Sequence, residues 1–177
     1  MNFKNKLEKN DILLVKIGSN NYSKAVLQAT KELSEKKVCY ITMNKTYSSL
    51  EETFSDKGLD MNHIFFIDAI SGSIKEVKQN EKRVYFISSP SSLTELSLAI
   101  SKFLEKGFDY VIFDSVNNLL TYHNMNTAER FLNRITNESK ENGTKTIFFA
   151  LKIKEQEELI NKVSTFVDET INLEERQ

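Results

Sequence analysis

The chain has one cysteine, one proline and five glycines in 177 residues, so turns are sparsely punctuated and no domain linker or internal repeat stands out. A lone cysteine excludes an internal disulfide. Cys39 lies in the apolar run VCYITM, where a small buried hydrophobe is expected. No apolar run approaches the roughly 20 residues of a membrane span. The charged start MNFKNKLEKND is followed by no apolar signal-peptide stretch, so a cytoplasmic location and no membrane partner are expected. Neither sign of charge is in excess: 24 basic and 25 acidic side chains leave a net charge of −1, with no overall electrostatic footprint for nucleic acid. What is present is a globular composition, 40% hydrophobic and 28% charged, at a length that suits one domain over 1–177.

Apolar runs alternate with helical patterns along the chain, which predicts an α/β fold around a mostly parallel sheet with helices on both faces. The runs predict strands at 11–17, 38–43, 64–70, 84–87, 110–113, 146–151 and 166–173. Several are apolar almost throughout, as strands covered on both faces must be. Between them the period becomes helical: Tyr22, Val26, Ala29 and Leu33 share one face, as do Leu93, Leu96, Ile100 and Phe103. Ala128, Phe131, Leu132 and Ile135 form a third stripe, and Leu159, Ile160 and Val163 a fourth. Ser92 and Glu95 have capping-box spacing ahead of the second stripe, and a weaker helix is expected over 48–56, ending at Gly58. Segments 71–82 and 117–126 are polar and read as loops.

Two segments carry a nucleotide-site pattern. Gly18-Ser19-Asn20-Asn21-Tyr22-Ser23-Lys24-Ala25 falls between a strand and a helix, where G-x-x-x-x-G-K-[ST] would cradle phosphates. Gly18 and Lys24 are correctly spaced. Ser23 replaces the second glycine, however, and Ala25 has no oxygen for Mg²⁺. Far downstream, Tyr110-Val111-Ile112-Phe113-Asp114-Ser115 is an apolar strand ending in aspartate, the form of a metal-holding Walker-B strand. Gly18, Ser23, Lys24, Ala25, Asp114 and Ser115 are therefore the candidate nucleotide-binding residues, in degenerate form.

In their order, these segments resemble the RecA/KaiC-like P-loop ATPases, particularly the single-domain archaeal KaiC-like branch. The matching segments are 12–18 with 23–25, 38–43, 89–96, 109–115 and 167–173. The resemblance implies a RecA-like three-layer sandwich. It also implies catalytic carboxylates just after the second strand, where this chain has Asn44 and Lys45, neither of which is a base for water at neutral pH. Glu51 and Glu52 follow within the next helix. The family uses basic groups from a neighbouring subunit near the late strands, and after Leu173 this chain has Glu174, Glu175, Arg176 and Gln177, to which that role does not transfer. Loss of loop glycine, metal hydroxyl and catalytic glutamate together implies an inactivated member: a pseudo-ATPase with no catalytic residues, no cofactor and no metal. It would act as a regulatory or protein-binding module in signal transduction, with a protein partner or its own copies. The alternative is a sensor or weak ATPase that binds ATP weakly through Lys24 and Asp114.

Other candidates are weaker. His63 and His123 lack metal-ligand spacing. Asp68 ends an apolar run and reads first as a turn cap, with a two-carboxylate site beside Asp114 as the alternative. Ser115 has no nucleophile-elbow context, and no G-x-G-x-x-G follows the first strand. Tyr22 reads as the start of the first helix's apolar stripe, or else as an exposed aromatic anchor for a partner.

Overall fold

The computed structural model describes residues 1–79 and 82–173. Asn80 and Glu81, within the expected loop 71–82, and residues 174–177 lie outside the described residues. The described chain is an α/β three-layer sandwich. Seven parallel strands form its middle layer: β1 (Ile12–Ile17), β2 (Val38–Thr42), β3 (Ile64–Asp68), β4 (Val84–Phe86), β5 (Tyr110–Asp114), β6 (Lys145–Leu151) and β7 (Glu169–Leu173), in the order β4-β3-β2-β5-β6-β1-β7. The expected sheet was mostly parallel; all its described pairings are.

Alternation along each strand splits the core in two. Leu13, Val15, Tyr40, Phe66, Ile112 and Phe149 point to the face covered by α1 (Phe3–Lys9), α2 (Ser19–Leu33) and α3 (Tyr47–Asp56). Leu14, Cys39, Ile41, Val111, Phe113 and Phe148 point to the other face. The chain then makes a one-turn α4 (Ser71–Ile74) after β3, and the second face is covered by α5 (Leu93–Glu105), α6 (Val116–Tyr122), α7 (Met125–Glu141) and α8 (Glu157–Ser164). Both faces are sealed, which explains why the strand runs are apolar throughout rather than alternating. Cys39 is fully buried in the second layer of side chains, and burial pushes its thiol pKa up.

Several local expectations are corrected. The segment 117–126 is mostly helical: its asparagines hide Val116 and Leu119, which are buried. Ser71–Ile74 is a helical turn rather than loop. α1 carries only Phe3 and Leu7 as buried residues, too little to signal a helix, yet Asn2 caps it by accepting from Asn5 N at 2.8 Å. The capping box at Ser92 does not form, because the Glu95 carboxylate accepts from Ser88 N at 3.0 Å instead. β3 stops at Asp68 because that side chain turns the chain, accepting from the N–H groups of Ile70 at 2.8 Å and Ser71 at 2.9 Å. β7 starts later than expected, at Glu169, where Asp168 anchors the strand's beginning to the N–H groups of Asp11 and Ile12, each at 2.9 Å.

Candidate functional site

β1 passes into α2 through a single residue. Gly18 is the N-cap at φ −69°, a conformation open to any residue, and the chain is helical from Ser19 onward. The expected phosphate loop is therefore corrected: most of it forms the first two turns of α2. Without a glycine at Ser23 nothing favours a break in the helix there, and Tyr22, Ala25 and Val26 all anchor it to the sheet. Ala25 is a packing residue, 6% exposed. Ser23 and Lys24 face outward on the same helix.

Asp114 ends β5 at the C-terminal edge of the sheet, between Thr42 of β2 and Phe149 of β6. Its carboxylate is almost wholly buried and is met by protein donors. Tyr22 Oη donates to one oxygen at 2.6 Å and Asn44 Nδ2 to the same oxygen at 3.0 Å, while Tyr40 Oη donates to the other at 2.5 Å. Burial pushes the Asp114 pKa above the usual carboxylate range, against the opposing pull of these donors and of the Lys45 charge. Burial, reinforced by the Asp114 charge, drives both phenols well above their ordinary value, so the tyrosines are fixed donors.

Tyr22 also stacks edge-on against Phe149, with centroids 6.2 Å apart. Packed in this way, it is not an exposed anchor, and the partner-docking alternative for Tyr22 is overturned. Asn44 sits half-buried after β2, its Oδ1 buried without a partner among the described residues, while Lys45 is exposed. Ser115 is fully buried and donates to Asn118 Oδ1 at 2.7 Å within the start of α6.

Asp68 does not join Asp114. Besides the two turn amides, it accepts from Tyr47 N at 2.7 Å and Ser71 Oγ at 2.6 Å, which makes it a structural cap. His123 Nε2 lies 3.2 Å from the Pro90 carbonyl oxygen. No group of three or more His, Cys, Asp or Glu side chains that could hold a metal occurs among the described residues.

Sequence reasoning named Asp114, Asn44 and Tyr22 separately but missed Tyr40. Period-2 alternation in β2 places Tyr40 on the face toward α2 and α3, and a tyrosine in the middle of a doubly covered strand needs a hydroxyl partner, which was the available signal. The same residues border a cavity of about 440 Å³ between α2 and α3, walled by Val26, Leu27, Leu50 and Phe54.

A parallel three-layer sandwich with a closed tyrosine–aspartate cluster at the carboxyl edge of its sheet defines the class. Within that class, residues 16–173 match a family of unknown function, DUF7504, and the chain belongs to it. No curated protein matches the chain. Among the described residues no helix is long and apolar enough to cross a membrane.

Proposed function

We propose that the protein is a RecA/KaiC-like domain that has given up ATP hydrolysis and serves as a cytoplasmic regulatory module, binding a protein partner or its own copies in signal transduction. The observation that carries this reading is the Tyr22–Asp114–Tyr40 cluster. An aspartate that holds Mg²⁺ needs a free oxygen facing the nucleotide, and here both oxygens accept hydrogen bonds from the protein's own donors. Ala25 contributes a buried methyl where a metal hydroxyl is required, and the segment that would wrap phosphate is helix. Mg²⁺–nucleotide chemistry does not fit these residues. Asn44 and Lys45 supply no general base.

A phosphate-release assay with Mg²⁺-ATP tests the reading. No turnover above a heat-inactivated control is expected; turnover that disappears in Lys24→Ala would overturn it. The second reading, weak ATP binding without turnover, is favoured by Lys24, an exposed cation in no ion pair among the described residues. A thermal-shift titration with ATP, ADP and GTP, with and without Mg²⁺, separates the two, because a ligand that binds only the folded state raises the midpoint.

A further inference from the structure

The cavity between α2 and α3 begins at the strand ends that carry Asn44 and Asp114 and continues between the two helices. It runs down the sheet face toward Tyr40, and its walls are the side chains of Val26 and Leu27 on α2 and of Leu50 and Phe54 on α3. At about 440 Å³ it falls within the range of small-molecule pockets, roughly 300 to 1,000 Å³. It is open to solvent and its lining is mostly apolar, the form of a ligand cleft.

Its polarity has a direction. The floor holds Asp114, a buried carboxylate, and the phenols of Tyr22 and Tyr40, whose hydroxyl hydrogens are already committed to it. The floor therefore repels an anion and offers these phenols to it as no free donor. The mouth carries three exposed lysines, Lys24, Lys45 and Lys57, none of them in an ion pair among the described residues. Unpaired cations around an apolar opening concentrate anions at the rim.

We infer that this cavity binds a small molecule with an apolar body and a single anionic head group, of the class of a medium-chain or aromatic carboxylate, its body between α2 and α3 and its head among Lys24, Lys45 and Lys57. The inference goes beyond the proposed loss of hydrolysis and does not require it: it uses Lys24 and Lys45, positions of the nucleotide pattern, as head-group cations and calls on no hydrolytic chemistry.

The probe is 8-anilinonaphthalene-1-sulfonate, an aromatic monoanion, titrated by fluorescence against the full chain and then displaced with decanoate. Saturable binding at one site per chain is expected, with displacement by decanoate but not by decanol or inorganic phosphate at equal concentration. Thr53→Trp, an exposed position on the cavity's wall, should abolish the signal by filling the space. Lys57→Gln should weaken binding by about threefold, a modest factor because rim charges are screened by water. Near-UV circular dichroism confirms that each variant is folded. If Thr53→Trp unfolds the chain, Leu27→Trp fills the same space from α2.

Unsaturable fluorescence, binding unchanged in a folded cavity-filled variant, or displacement by decanol as readily as by decanoate would each overturn the inference. So would displacement by ATP at lower concentration than decanoate, which would assign the space to a nucleotide. A positive phosphate-release assay with normal decanoate binding would overturn only the proposed function.

Discussion

Tyr22, at the end of the first turn of α2, donates its phenolic hydrogen to Asp114 at the end of β5 across 2.6 Å, joining residues 92 positions apart in the chain. The bond locks the start of α2 onto the carboxyl edge of the sheet. Together with Tyr40 and Asn44 it covers the carboxylate that the sequence marks as a Walker-B aspartate.

Tyr22→Phe keeps the ring against Phe149 and deletes only the hydroxyl, leaving a buried carboxylate short of a donor. Loss of a hydrogen bond to a charged group typically costs about 1.5 to 3 kcal/mol, and urea denaturation should show a loss in that range. Tyr40→Phe should behave alike. In an Asp114→Asn background either loss should shrink, because the buried charge is gone; equal losses in both backgrounds would show that the bond contributes nothing beyond the packing of the ring.

The acid–base balance of stability follows from two aspartates with opposite shifts. Asp114 is raised by burial, so the folded state holds its proton more tightly than the unfolded chain. Its contribution is present in acid and is lost as pH climbs from the unfolded value of about 3.9 through the higher folded one. Asp168 is pushed up by burial but pulled further down by Lys140 and the N–H groups of Ile12 and Asp11, for a net lowering. Its contribution is present above the unfolded value and lost as pH falls through its lower folded one. Denaturation curves between pH 3 and 7 should therefore show Asp114→Asn gaining on the unsubstituted protein as pH rises, and Asp168→Asn falling behind it.

Gly72, the second residue of α4, lies against the backbone just past β4, and a Cβ placed there would stand 2.3 Å from the Ile87 carbonyl oxygen. Backbone must move to admit even a methyl group. Gly72→Ala should cost about 1 to 3 kcal/mol, as overpacking does, read as a lowered denaturation midpoint with unchanged slope.

The sandwich was legible because its strands declare themselves: VCYIT of β2 and YVIFD of β5 are too apolar for anything but strands covered on both sides. Tyr22, Val26, Ala29 and Leu33 likewise announced α2, and in doing so already argued against a loop at Ser23, because a stripe that begins at Tyr22 requires helix there. The phosphate-loop spacing and the helical period competed for the same residues, and packing decided. α6 was hidden because Asn117 and Asn118 resemble loop, whereas Asn117 is there to bridge, donating to the Leu151 carbonyl at 3.1 Å and accepting from its N–H at 2.6 Å. Tyr40 and the cavity beside it depend on how far α2 stands from α3, a distance that no single segment encodes.

Cys39 gives the fold a built-in reporter. It is the chain's one thiol, on a strand flanked by β3 and β5, with no exposed surface in the native state. A thiol reagent can reach it only after that strand is uncovered, so the rate of its modification measures how often the centre of the sheet opens. Surface labelling cannot obscure that clock, and it runs without any engineered probe.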